Sequence, residues 1–249
     1  MQAPLTTVDK AIDVLFQLHG SASPLGVTEL AEALGGPKST THRLLAALRH
    51  RGLVEQDEAG RYRTGVALIA LGSGVQDREP VVLAARPLLQ EEARALGETA
   101  FLVAARAGRL LVLDKAEGTG FLRAAPQVGE VVPVHTTAVG KLQLAFAPHE
   151  VDFEPHVASS FTPATLTAER ALAEQVALAA AQGWAANEDE WVEGLSVLAA
   201  PVFHRERLMA QVALAAPSPR VRVLGLEHLA QRVRALAARI CKRLDGGDA

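Results

Sequence analysis

The chain has 249 residues, 49% of them hydrophobic, and a formal net charge of −3. That length suggests about two domains, and the slightly acidic balance excludes a protein that coats nucleic acid along its whole surface. There is no run of about 18 uncharged apolar residues to span a membrane and no basic-then-apolar N-terminus of the secretory kind; the single cysteine, Cys241, cannot form an internal disulfide, so the expectation is a cytoplasmic protein with no membrane partner.

The first expected helix runs from about Val8 to Leu18, with Val8, Ala11, Ile12, Leu15 and Leu18 on one face, Thr7 as cap and Asp9 in the first turn. Residues 27–64 are the most informative stretch. Val27, Leu30, Ala31 and Leu34 recur at helical spacing. Gly35 and Gly36 stop that helix, and Pro37 suits the first turn of the next. In the next helix Thr41, Leu44, Leu45 and Leu48 form an inward stripe, while Ser39, Thr40, His42, Arg43, Ala46, Arg49 and His50 fall mostly outside it. A short, polar, cationic outer face is what the second helix of a helix-turn-helix needs in the major groove, with its N-terminal side chains on base edges.

A β-ribbon follows. Leu53–Gln56 and Arg61–Thr64 flank Asp57-Glu58-Ala59-Gly60, a turn signal. Arg61 and Arg63 alternate with Tyr62 and so share a strand face. A basic hairpin at this place reads as a wing that touches phosphates or the minor groove; the alternative is a helical hairpin with a solvated basic face. The candidate DNA contacts are Lys38, Ser39, Thr40, Thr41, His42, Arg43, Arg61 and Arg63, although Thr41 also belongs to the inward stripe. Residues 38–63 carry a net +3 and the rest of the chain −6. A local basic patch on an acidic body fits a sequence-specific regulator of double-stranded DNA.

Residues 66–76 read as a linker helix, with Val66, Ile69 and Ala70 or Ala67, Leu68 and Leu71 as stripes available for self-association. Residues 79–96 read as an amphipathic helix that Pro87 should kink or restart. Beyond residue 99 strands alternate with helices: a hairpin of Thr99–Ala105 and Leu110–Lys115, short strands at Phe121–Ala124 and Val131–Val134, helices at Thr136–Ala147 and Ala168–Gln182, paired strands at Leu195–Phe203 and Met209–Ala216, and a final helix over Val223–Leu244. The expected class is α+β, divided into residues 1–65, a linker at 66–78 and a second domain at 79–249 able to enclose a small ligand.

Chemistry motifs are weak. His149-Glu150 followed by His156 lacks the spacing of a zinc helix. Ser159-Ser160 has no nucleophile-elbow setting. No nucleophile, base and orienting acid can be assembled, so catalytic residues, metal ligands and cofactors are all expected to be none. In the run His135-Thr136-Thr137-Ala138-Val139-Gly140-Lys141, a strand end meets a helix start, whose free N–H groups and dipole favour a carboxylate. Ala138 and Gly140 are small enough to let a ligand approach. By themselves these residues read first as an ordinary helix capped by Thr136 or Thr137, and only second as a ligand site.

The chain resembles the IclR-type transcriptional regulators, named for the isocitrate lyase regulator. The resemblance is carried by TVDKAIDVL, by ELAEALGGPKSTTHRLLAAL, by RGLVEQDEAGRYRTG, by HTTAVGK at 135–141 and by GWAANEDEWVEGLSVLAAPVF at 183–203, in order along nearly the whole length. It implies a winged helix-turn-helix, a linker helix and a GAF-like α/β effector-binding domain. It also implies dimers, often paired into tetramers, on a pseudo-palindromic operator of a catabolic operon. It favours the ligand reading of the 136–147 helix. Its effector pocket would comprise Thr137, Ala138, Val139 and Gly140 with Phe121, Ala124, Asn187, Leu195, Val197 and Ala215. This chain is more apolar there than the family pattern, with Asn187 where an acid is common and Val197 where a cysteine or serine is. An aromatic or longer aliphatic carboxylate is therefore expected rather than a small polar acid such as glyoxylate.

Overall fold

The computed structural model describes residues 6–21, 23–76, 78–120, 126–154 and 159–246. They form two compact units, Met1–Gln76 and Asp77–Ala249. Among the described residues no helix is long and apolar enough to cross a membrane.

The first unit opens with α1 (Thr7–Gly20). Its cap is Thr6 rather than Thr7: the Thr6 hydroxyl accepts from the Asp9 N–H at 3.2 Å, and the Asp9 carboxylate accepts from the Thr6 N–H at 2.7 Å. The Thr6 hydroxyl, which also donates to the Asp9 carboxylate at 2.6 Å, and then the Thr6 N–H hold the Asp9 carboxyl below its ordinary value. The inward face is also rotated from the expected one. Val14 and Leu18 are buried, with Ala11 and Leu15 packed beside them, whereas Val8, Ile12 and Phe16 form a second apolar stripe facing outward. Two apolar stripes on one helix leave periodicity unable to say which is inside.

Helix α2 (Val27–Ala33), helix α3 (Lys38–His50) and strands β1 (Val54–Gln56) and β2 (Tyr62–Thr64) complete the winged helix. Leu30, Leu44, Leu45, Leu48, Val54 and Tyr62 close the core with Val14 and Leu18. The wing turn is held by the Asp57 carboxylate, which accepts from the Arg61 N–H at 2.8 Å, and by Gly60 at φ +76°. Leu25 adds a third rung by exchanging both backbone hydrogen bonds with Tyr62, at 2.9 and 2.7 Å. Helix α4 (Ala67–Gln76) follows; Val66 ahead of it and Ile69, Leu71 and Val75 along it are exposed.

In the second unit, α5 (Pro80–Leu96) runs through Pro87 without ending. Pro87 lies on the exposed face with Leu83, so the Leu83 carbonyl that loses its donor faces water rather than a core. Strands β3 (Thr99–Arg106), β4 (Arg109–Ala116), β5 (Val131–Val132), β6 (Ala185–Glu188), β7 (Leu195–His204) and β8 (Arg207–Pro217) form an antiparallel sheet in the order β5-β4-β3-β8-β7-β6. Ala107 at φ 49° and Gly108 at φ 76° make the tight primed turn between β3 and β4.

Alternation along the strands builds two cores. Ala100, Leu102, Leu198, Val212 and Leu214 face α5 and α9 (Leu226–Leu244). Phe101, Val103, Val197, Ala199, Ala213 and Ala215 face α6 (Ala138–Phe146), with α7 (Glu169–Gln182) packed on α6. Trp184 joins the α5/α9 core and Trp191 the other. Expected strand 131–134 shortens to two residues because Pro133 has no N–H for the ladder. The final helix is preceded by a separate short one, α8 (Ser218–Leu224), broken off by Gly225 at φ 86°. Strand β6 was not expected, since Ala-Ala-Asn-Glu has little intrinsic strand preference.

Candidate functional site

Helix α3 presents Lys38, Ser39, His42 and Arg43 to solvent, with Thr40 half-buried. Its first turn has no side-chain cap and no acidic residue, so the positive end of the helix faces outward unneutralised. No hydrogen bond or ion pair engages Arg43 among the described residues. Thr41 departs from the expectation: it is 2% exposed and its hydroxyl donates to the Pro37 carbonyl at 3.4 Å, inside the α2–α3 corner. The leucine stripe it shares decides its direction.

The wing arginines also separate. Arg61 precedes β2; its Nε donates to the Pro24 carbonyl at 2.7 Å and its guanidinium pairs with Glu29 at 2.9 Å. It ties the wing to α2 rather than facing outward. The Glu29 carboxyl is held low first by the Gly26 N–H and then by Arg61. Arg63 is the exposed one, paired at 3.0 Å with Glu55, which also accepts from the Val66 N–H at 3.2 Å. Such surface pairs are worth at most about 1 kcal/mol, so Arg63 can exchange Glu55 for a phosphate at small cost.

In the second unit, the expected pocket residues converge at the start of α6, apart from Phe121 and Ala124, which lie outside the described residues. Thr137 caps α6: its hydroxyl accepts from the Gly140 N–H at 3.1 Å and donates to the Pro133 carbonyl at 2.6 Å. Asn187 on β6 accepts from the Ala138 N–H through Oδ1 at 2.9 Å, with both residues buried. The Val139 N–H is then the first-turn donor with no protein partner among the described residues. Asn187 pairs with Val197, and Val197 with Ala215, so these three lie in one row across β6, β7 and β8; Leu195 lies two residues along β7 on the same face.

Gly140 differs from the expectation. A Cβ there would meet the Val134 carbonyl oxygen at 1.8 Å. Its smallness lets the 133–137 backbone cross α6 and is not available to a ligand.

Lys141 was missed as a buried charge. Its Nζ donates to the Ala186 carbonyl at 3.0 Å and to Glu190 Oε1 at 2.6 Å. Burial pushes the Glu190 carboxyl up against the attraction of Lys141 and, more weakly, His135. The signal was a lone lysine amid Ala-Val-Gly and Leu-Gln-Leu, in a helix with no polar face for it. The second oxygen of Glu190 and the Thr136 hydroxyl are buried without a partner. His135 stacks on Phe153 at 5.8 Å and hydrogen-bonds the Ser159 carbonyl at 2.8 Å, so it braces the segment before α6. Cys241 is half-buried, and burial pushes its thiol up, which suits an inert side chain.

A winged helix-turn-helix joined to an α/β unit with an apolar sheet face under a helix start defines a DNA-binding transcriptional regulator. The profile "Bacterial transcriptional regulator IclR C-terminal" matches residues 74–242 and "IclR helix-turn-helix domain" matches residues 7–58. The chain belongs to the IclR family. It is 33% identical over 253 residues to the glycerol operon regulatory protein of Streptomyces griseus, covering 99% of each chain. The crystal structure of an IclR transcriptional regulator from Alicyclobacillus acidocaldarius matches with a TM-score of 0.80 at 26% identity, over 96% of this chain and 98% of that one. An IclR homolog from Microbacterium hydrocarbonoxydans, crystallised with 4-hydroxybenzoate, shares the fold with a TM-score of 0.80 at 19% identity, over 97% and 100% of the two chains.

Proposed function

We propose that the protein binds a pseudo-palindromic operator as a dimer or a pair of dimers, and that an organic acid held at the start of α6 controls that binding and so the expression of a catabolic operon. The observation that carries the effector half is the convergence of the uncapped Val139 N–H, the Asn187 amide and the apolar row Val197–Ala215 at one helix start. An acid's carboxylate meets the positive end of α6, which has no acidic residue in its first turn. Its body lies on Leu195, Val197 and Ala215. The homolog bound to 4-hydroxybenzoate supports an acid of this kind, and the glycerol operon regulator supports a catabolic target.

Ala138→Phe tests the site. Ala138 is fully buried beside Asn187, so a phenyl ring there fills the space a carboxylate needs. The variant is expected to hold operator DNA normally and to ignore the acid, losing a coupling of about 1–3 kcal/mol. Isothermal titration with a panel of carboxylic acids, on wild type and variant, reads it. Unchanged affinity in the variant would place the pocket elsewhere; no stabilisation of wild type by any acid in a thermal-shift screen would favour a DNA-binding protein without a ligand.

For the DNA half, Arg43 reads bases, Lys38, Ser39, Thr40 and His42 set the register of α3, and Arg63 contacts phosphate. Arg43→Ala is expected to cost about 1–3 kcal/mol on the operator and to relax discrimination. Footprinting should show two protected half-sites, because one winged helix reads too few base pairs. The exposed apolar residues of α4, with Ile69 at 71% and Val75 at 67%, are the dimer contact. Equal loss on operator and random DNA would reduce Arg43 to a phosphate contact, and a single protected half-site would end the dimer reading.

A further inference from the structure

The sheet register extends the row beyond the residues named so far. Asn187 pairs with Val197, Val197 with Ala215, and Ala215 with Thr99 on β3. Directly paired residues point to the same face, and that face is the one under α6. The neighbouring row is Ala185, Ala199, Ala213 and Phe101. The result is a strip of small apolar side chains with Phe101 at its β3 end, an amide at one limit of the first row and a hydroxyl at the other. Thr99 is 5% exposed, and its hydroxyl has no hydrogen-bond partner among the described residues.

We infer that Thr99 is a specificity-determining contact: its hydroxyl receives a second polar group of an effector whose carboxylate lies at the Asn187 end. This rests on the reading of the α6 start as the acid site. Three strand spacings of about 4.8 Å separate the Asn187 and Thr99 backbones by about 14 Å. Two hydrogen bonds of about 2.8 Å leave roughly 8–9 Å between the outer oxygens of the ligand. The class that fits is an extended acid with an apolar middle and a hydroxyl or second carboxyl at its far end. A two- or three-carbon acid reaches one end only.

Isothermal titration of the full chain tests this with matched probes, 4-hydroxycinnamate against cinnamate and adipate against hexanoate. Wild type is expected to prefer the first member of each pair about tenfold, the weight of one good hydrogen bond. Thr99→Val keeps the shape without the hydroxyl and should shrink the preference to within about twofold, while Thr99→Ser should retain it. Should Thr99→Val not fold, Thr99→Ala serves instead: it removes the hydroxyl without adding bulk and should likewise shrink the preference within each pair. A preference that survives Thr99→Val or Thr99→Ala overturns the assignment. If none of the four acids binds wild type, or all bind Ala138→Phe as well as wild type, the acid-site reading itself falls and this inference with it.

Discussion

Lys141→Met is expected to destabilise the second unit by about 3–5 kcal/mol, the usual cost of removing one member of a buried ion pair. Lys141 and Glu190 are 1% and 10% exposed in their side chains, and their 2.6 Å contact joins α6 to the chain just after β6. Methionine fills much the same volume, so the loss measures charge rather than shape. The pH dependence has a definite sign. Burial raises the Glu190 carboxyl in the folded state, so the folded protein holds that proton more tightly than the unfolded chain. Stability therefore falls as pH rises from the ordinary carboxylate value of 4.5 through the higher folded one. Without Lys141 the folded value climbs further and the window widens, since only His135 and the Glu188 backbone then favour the carboxylate. Urea unfolding should thus show a larger loss at about pH 8 than at about pH 5. Lys141→Met combined with Glu190→Gln should recover most of it. An equal loss at both pH values, untouched by Glu190→Gln, would mean that the pair carries no buried charge.

Gly140→Ala is the second large effect, and it opposes helix propensity. In a helix alanine is favoured over glycine by about 0.8–1 kcal/mol, yet here the new Cβ would lie 1.8 Å from the Val134 carbonyl oxygen and 2.5 Å from its carbon. Both are backbone atoms, so α6 or the 133–137 segment must move, and with it the Thr137 cap and the Asn187 contact. Overpacking of this kind costs about 1–3 kcal/mol, occasionally more, and a net loss near the upper end is expected together with weakened acid binding. Gly72→Ala in α4 is the control, since nothing lies within 4 Å of its added Cβ; it should gain about 0.5–1 kcal/mol. Chemical denaturation of both variants reads the difference. A gain at Gly140 comparable to that at Gly72 would show that the crossing is not tight.

Much of the DNA-binding unit is local and so is legible in the chain. The leucine stripe of α3, the glycines after α2 and the Asp57–Gly60 turn each act within a few residues, and each formed as read. The hairpin at Ala107–Gly108 and the stop at Gly183 are of the same kind. Direction was harder wherever a helix or strand carries two plausible faces. The stripe Val8–Ile12 is as apolar as Val14–Leu18, and only the packing of α1 on α3 selects the second. Arg61 and Arg63 alternate correctly, but Glu29 and the Pro24 carbonyl lie far off in sequence and claim Arg61.

The proposed effector face depends on tertiary structure more heavily still. A helix start at residue 138 follows from Thr137 and the small residues after it. That Asn187 occupies its first N–H, that the Val134 carbonyl fills the space above Gly140, and that Lys141 finds Glu190 follow only from β6 and its following turn lying beside α6. Thr99 enters the same row because β3 pairs with β8, a register set by the whole sheet. Side-chain type and periodicity determined which elements form and which helix carries the cationic outer face. Long-range pairing decided which polar atoms are already satisfied and which remain for a ligand, because a hydrogen bond is settled by distance in space and not by spacing along the chain.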